Sequence, residues 1–295
     1  MKKNIFYGLL FLLIFPVVTL ADEKTTDPHL QSPQTTPTLI ENAVKKEKKI
    51  LKLPFSIILF HSNYLLPYYY SSNPQSQGTL NPGDQKLKHY EVKYQISFKV
   101  PIWQNIISIH DHPISLFGAY TQMSYWQLYQ HSAFFRETDY KPELFFSMYL
   151  LKSTMLRTGF SHESNGRGGM DERSWNRWFV STEYSTHRLF LGVQAWTLVL
   201  KKDSVDIYNP DITTYMGHEI FYIGYNLPFD IKLLVKLRNV EHLKNYFTQI
   251  VSLSIPLSDH LQFYGQFFHG YGQSLIEYNQ KTTSFGVGLA LNQYF

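Results

Sequence analysis

Ser284-Phe285-Gly286-Val287-Gly288-Leu289-Ala290-Leu291-Asn292-Gln293-Tyr294-Phe295 ends the chain. Phe285, Val287, Leu289, Leu291 and Phe295 share one parity; Ser284, Gly286, Gly288, Ala290 and Asn292 hold the other. Only Gln293 breaks the first set. In a strand the two sets point to opposite faces. One face is bulky and apolar and the other small or polar, as expected when lipid lies outside and a packed or wet lumen lies inside.

Composition agrees with that reading. The sequence holds 22 Phe, 22 Tyr and 5 Trp, yet its mean hydropathy is −0.24. A helical membrane protein would show several runs of ~20 apolar residues, whereas alternating strands dilute apolar residues with polar ones. On composition alone a secreted β-sandwich stays open. The terminal strand weighs against it, because an aromatic last residue closing an alternating strand resembles the assembly signal of bacterial outer-membrane barrels.

At the other end, Met1-Lys2-Lys3 precedes an apolar run from Ile5 to Val18, with Thr19 and Ala21 placed for cleavage before Asp22. Charged, apolar, then small is the order of a secretory signal peptide, here 1–21. Its removal takes Lys2 and Lys3 and lowers the formal charge from +4 to +2. That is too little to suggest nucleic acid, although the basic stretch Lys45, Lys46, Lys48 and Lys49 could touch anionic head groups. There is no cysteine, so rigidity must come from elsewhere than disulfides.

Residues 22–52 are rich in charge and Thr, with Pro28, Pro33 and Pro37. Such a segment reads as a disordered periplasmic arm, with a helical piece conceivable around Leu39–Lys49. The barrel then spans 53–295. Strand-like segments bounded by turn residues fall near 55–69, 88–101, 114–128, 142–152, 153–164 and 173–186, then 187–200, 212–225, 229–240, 244–256, 260–271 and 282–295. That predicts a twelve-stranded antiparallel transmembrane barrel with both termini periplasmic. Short and long links mostly alternate; Trp103–Pro113 is the long exception among links expected to be short.

Within 153–164, Leu156, Phe160, His162 and Ser164 share the parity of the outer face, while Arg157, Gly159, Ser161 and Glu163 face the lumen. Polar groups on a lipid-facing surface are costly unless they pair or act on something there. Two residues apart on one strand face, His162 and Ser164 stand roughly 6–7 Å apart at Cα. Imidazole at that reach could take the hydroxyl proton as the oxygen attacks an ester. Asn176 shares a parity with Trp178 and Val180 on the next strand, where its amide oxygen could fix the imidazole tautomer. Taken alone, a His-x-Ser spacing is mostly a surface accident.

The surroundings change its weight. His162-Glu163-Ser164-Asn165-Gly166-Arg167, followed by Arg173-Ser174-Trp175-Asn176-Arg177, resembles the signature of the outer membrane phospholipase A family. Further matches lie at Tyr120-Thr121-Gln122, Phe135-Arg136-Glu137-Thr138, Asn209-Pro210-Asp211 and Gly270-Tyr271-Gly272. The resemblance runs from about residue 88 onward. It implies a twelve-stranded barrel that hydrolyses acyl esters of phospholipids and lysophospholipids, with Ser164 as nucleophile, His162 as general base and acid, and Asn176 orienting it. It also implies one Ca2+ per active site at the interface of a homodimer. The ligands carry over as the carbonyl of Arg167, the residue at 172, and Ser132 from the partner subunit. Glu172 departs from the hydroxyl residue expected there, but a carboxylate is a good ligand for a hard cation. Gln122 is a candidate dimer contact, and a lumen-facing amide is the equal alternative.

Other features carry less. His112, His187 and His269 lack metal-ligand spacing, Asp171-Glu172 reads as a solvated loop pair, and Tyr68-Tyr69-Tyr70 and Phe267-Phe268 read as interface aromatics. Two rivals remain: a non-catalytic porin or adhesin, and an acyl hydrolase acting on lipopolysaccharide. A site facing the outer leaflet predicts activity only after membrane damage or dimerisation.

Overall fold

The computed structural model describes residues 36–53, 56–75, 86–199 and 208–291. The signal peptide, the arm from 22 to 35, and the terminal Phe295 lie outside the described residues. The strands are β1 (Ile58–Leu59), β2 (Tyr64–Ser71), β3 (Tyr90–Ile109), β4 (His112–Trp126), β5 (Phe135–Leu150), β6 (Thr154–Ser164) and β7 (Ser174–Ser185). They continue with β8 (Leu189–Leu198), β9 (Glu219–Asn226), β10 (Lys232–Arg238), β11 (Thr248–Pro256), β12 (Leu261–Tyr271) and β13 (Lys281–Leu291). From β2 to β13 each strand pairs antiparallel with the next, and β13 pairs back onto β2, closing a twelve-stranded barrel. The short β1 pairs with β3. Closure satisfies every ladder without leaving an edge, which is the condition for strands to lie in lipid. Among the described residues no helix is long and apolar enough to cross a membrane.

The predicted alternation is met in β13. Phe285, Val287, Leu289 and Leu291 are 42–44% exposed outward, while Ser284 and Ala290 are 0% and 3% exposed on the lumen side. The same rule corrects the aromatic runs. Tyr68 and Phe267 face outward, but their neighbours Tyr69 and Phe268 are buried in the lumen, because successive strand residues cannot share a face. Several boundaries also differ: β5 begins at Phe135 rather than 142, and the first expected strand is split into β1 and β2. Ile212–Met216 forms a helix, α2, where a strand was expected, since Ile212 and Met216 stand four apart and both bury. The Trp103–Pro113 link is instead a continuation of β3 and β4 into a long hairpin, turning at His110 and Asp111 with φ of 47° and 63°.

The tight connections after β3, β5, β7, β9 and β11 gather at one end of the barrel, called here the turn end; the longer ones gather at the loop end. The turn end carries α1 (Leu39–Ile50), at the place where a helical piece was conceivable within the segment 22–52. Thr38 caps it, accepting from the Glu41 N–H at 3.1 Å. The Thr38 hydroxyl donates to the Lys152 carbonyl at 2.7 Å, the Leu39 N–H to the Thr186 carbonyl at 2.9 Å, and the Ile40 N–H to the Ser185 hydroxyl at 2.9 Å. Lys99 from the barrel wall pairs with Glu47 at 2.8 Å. Docking needs only two buried apolar residues, Leu39 and Ile40, so composition alone underestimates it.

At the loop end, residues 272–280 fold into the mouth. Leu275, Ile276 and Tyr278 are buried there with Trp175, Phe179, Trp196, Ile212 and Met216. The Leu275 N–H donates to Asp139, the Ile276 N–H to Glu137 at 3.1 Å, and the Tyr278 hydroxyl to Asp211 at 2.6 Å. Burial, then that hydrogen bond, pushes the Tyr278 hydroxyl up. Arg136 bridges Glu91 at 2.8 Å and Glu277 at 2.9 Å with all three side chains sealed from water.

Candidate active site

β6 and β7 pair in register, with His162 opposite Asn176 and Ser164 opposite Ser174. Alternation sends His162, Ser164 and Asn176 outward, in line with Phe160, Trp178 and Val180, of which Trp178 and Val180 are exposed. His162 Nδ1 lies 2.8 Å from the Asn176 side-chain oxygen. That oxygen can only accept, so the neutral ring carries its proton on Nδ1 and leaves Nε2 free as a base. Ser164 closes β6 at the loop end, two residues beyond His162 on the same face. No hydrogen bond joins it to His162 among the described residues.

The chain leaves this face through a loop that Asn165 organises. Its side-chain oxygen accepts from the Arg173 N–H at 3.0 Å, and its amide donates to the Asp171 carbonyl at 2.9 Å. Gly166 follows with φ 65°, and a Cβ there would meet the Tyr140 ring at 3.0 Å. Arg167, also expected as a site residue, pairs with Glu137 at 2.9 Å and donates to the Arg136 carbonyl. These contacts leave the Arg167 carbonyl and the Glu172 side chain on one short, well-anchored loop. Ser132 stands exposed in the β4–β5 connection, at the same end of the barrel.

Strand order brings one more set beside the nucleophile candidate. Ser164 pairs with Tyr140, Tyr140 with Gln122, and Gln122 with Ile96, all on the outer face. Gln122 is thus outward rather than lumenal. It accepts from the Tyr120 hydroxyl at 3.0 Å and donates to Ser124 at 3.2 Å, and Thr138 donates to Ser124 at 3.1 Å. A polar row in a lipid-facing wall satisfies itself laterally because water cannot serve it. The sequence match named Gln122 but gave no direction to it; only the strand register sets Gln122 and Tyr140 side by side next to Ser164.

The lumen side of the same strands was legible as a parity but not as a network. Glu163, between His162 and Ser164, accepts from the Trp175 indole at 3.0 Å and pairs with Arg177. The Arg177 guanidinium lies 3.8 Å from the Trp175 ring centroid. Trp175 and Arg177 flank Asn176, so every outward site residue on β6 and β7 is backed by an inward partner.

The family model described as Phospholipase A1 matches residues 40–291. Phospholipase A1 of Salmonella typhimurium is 34% identical, over 99% of this chain and 100% of that protein. Phospholipase A1 of Escherichia coli is 33% identical, over 97% and 98%. Among solved structures, the outer membrane phospholipase A of Escherichia coli aligns with a TM-score of 0.73 and 33% identity, covering 82% of this chain and 100% of that one. The outer membrane phospholipase of Salmonella typhi, solved as a dimer with bound calcium, aligns with a TM-score of 0.73 and 33% identity, over 82% and 94%.

Proposed function

The chain belongs to the phospholipase A1 family and is a phospholipid ester hydrolase of the outer membrane, and we propose that it cuts with Ser164 as nucleophile, His162 as base and Asn176 as the group that orients the base. The observation that supports this most is the 2.8 Å contact between His162 Nδ1 and the Asn176 oxygen, on the lipid-facing side and in register beside Ser164. His162 Nε2 takes the Ser164 proton as the Ser164 oxygen bonds to the ester carbonyl carbon. The same ring then gives that proton to the leaving lysolipid oxygen. Water, deprotonated by His162, next attacks the acyl carbonyl carbon; the Ser164 oxygen leaves, takes that proton from His162, and a fatty acid is released. Asn176 holds one tautomer throughout and, being neutral, avoids the desolvation cost of an ionised carboxylate beside lipid.

Among the described residues no three or more His, Asp or Glu cluster to hold a metal. The ligands we assign would not form such a cluster: one carboxylate from Glu172, the carbonyl of Arg167, and the hydroxyl of Ser132 supplied by a second copy. All are oxygens, the donor type that Ca2+ prefers. The Asn165 anchoring holds two of them on one loop next to Ser164. A calcium ion bound there would polarise the ester carbonyl and balance negative charge on it. Because Ser132 comes from the partner, activity requires a homodimer, in which Gln122 on the outer face is a contact. An even strand count puts the start of β2 and the end of β13 at the turn end, which we place in the periplasm, so that the loop end meets the outer leaflet. In an asymmetric membrane phospholipid rarely reaches that leaflet, and damage supplies it.

The test is fatty-acid release from phosphatidylcholine or lysophosphatidylcholine in mixed micelles by refolded protein, with calcium or chelator, beside Ser164→Ala. Release that needs calcium and vanishes in the variant is expected. Equal release by Ser164→Ala would remove Ser164 from the mechanism.

A further inference from the structure

A cavity of about 270 Å³ lies inside the barrel wall toward the turn end, far along the strands from His162 and Ser164. α1 covers it through Leu39, Ile40, Glu47 and Ile50, and its walls carry Lys99, Glu143, Arg157, Glu183, Tyr222 and Lys236. A single water needs only ~10–15 Å³ of such space, so there is room for a solute of several heavy atoms with water around it.

The charges on the wall do not balance. Glu47 pairs with Lys99 at 2.8 Å, Glu143 with Lys141 at 3.1 Å, and Glu183 with Arg157. His61 also faces Glu143, at 3.7 Å. Each carboxylate therefore has its own cation; Lys46 of α1 also lines the cavity, and Lys236 takes part in none of these pairs. Lys236 has no carboxylate partner among the described residues; its Nζ lies over the Tyr222 ring, 5.6 Å from the centroid. The Arg157 Nε is also buried without an acceptor. A full charge enclosed by a protein wall is costly to hold uncompensated, and a cation–π contact at that distance offsets only part of the cost.

We propose that this cavity is a binding site for a small phosphate-like oxyanion, held by Lys236 and by the spare donor of Arg157. An oxyanion meets both needs at once, because it carries the missing negative charge and several acceptors for converging donors. The wall keeps out the headgroup of an embedded lipid, so the ligand comes from solution at the turn end. This inference is independent of the roles given to Ser164, His162 and Asn176.

The experiment is calorimetric titration of the refolded full chain in micelles with inorganic phosphate, against chloride at matched ionic strength. Calcium is absent, so that phosphate cannot bind through the metal. One phosphate per barrel is expected in the wild type, with affinity falling at least ~10-fold in Lys236→Met. That variant should also unfold no earlier than wild type when phosphate is absent, since it removes an unpaired charge. Unchanged fatty-acid release in separate assays verifies that the variant is folded; if Lys236→Met does not fold, Lys236→Gln is read in its place. Binding no stronger than that of chloride, or equal phosphate binding by wild type and variant, overturns the proposal.

Discussion

Glu163 and Trp175 face each other across β6 and β7, joined at 3.0 Å on the lumen side, one residue from the outward pair His162 and Asn176. The same carboxylate holds Arg177. The wall is one residue thick, so what fixes the inner residues also fixes the backbone from which the outer ones project.

Glu163→Ala therefore reaches the outer face without touching it. The change strands the Arg177 charge and the Trp175 N–H, and breaking a buried pair in this way costs about 3–5 kcal/mol. Fatty-acid release is expected to fall roughly tenfold or more, since a displaced group at a reacting centre is penalised steeply. Glu163→Gln keeps an acceptor for Trp175 and should recover part of the rate. Urea unfolding and rates measured on verified folded barrel separate the two effects; full activity in Glu163→Ala would show that the inner network does not position the site.

Asn176→Ala removes the acceptor for His162 Nδ1 while leaving Ser164 and the strand register in place. The ring then samples the wrong tautomer, and kcat is expected to drop roughly 10- to 100-fold with KM little changed. Ser164→Ala should fall to background. Equal kcat in Asn176→Ala and wild type would mean that another group orients the imidazole.

Much of this is legible in the sequence. Strict alternation in 284–291 gave the outer and inner faces, because lipid on one side and a filled lumen on the other leave few residues ambiguous. The outward placement of His162, Ser164 and Asn176 followed from the same rule. What stayed hidden depends on contacts between distant segments. Leu39 and Ile40 bury only because Ser185 and Thr186 offer partners to their N–H groups. Ile212 and Met216 turn helical because the lumen core with Trp175 and Trp196 receives them. Gln122 could be assigned a face only once β4 had a register with β5.

Glu172 and Ser132 bear on the metal. If both are ligands, Glu172→Gln and Ser132→Ala should each raise the calcium concentration for half-maximal activity by roughly tenfold, with Glu172→Gln the larger because it removes a charged oxygen. Mixing folded Ser132→Ala with Ser164→Ala provides a sharper test. One heterodimer site then combines an intact nucleophile with an intact partner hydroxyl, and activity should reappear in the mixture at calcium levels where each variant alone is silent. No recovery in a mixture shown to form heterodimers would remove Ser132 from the shared site.

The closed ends of the lumen bear on the porin alternative. At the loop end Leu275 and Ile276 are buried in the mouth while Glu277 is locked to Arg136 at 2.9 Å, and at the turn end α1 is held by Lys99 and the β7–β8 turn. The loop-end seal stops steady ion flow by itself, because the two ends lie in series along one path. Planar bilayers containing the wild-type barrel should therefore show no steady conductance. A chain lacking residues 22–52 should stay closed as well, since the hydrogen bonds and ion pair that anchor 275–278 involve no residue of that segment. Only joining that truncation to Glu277→Ala, which leaves Glu91 as the one carboxylate on Arg136 and removes one of the anchors of 272–280, is expected to give channel openings. Steady conductance from the wild type would mean that the ends are not sealed in the membrane, and would return weight to the channel reading.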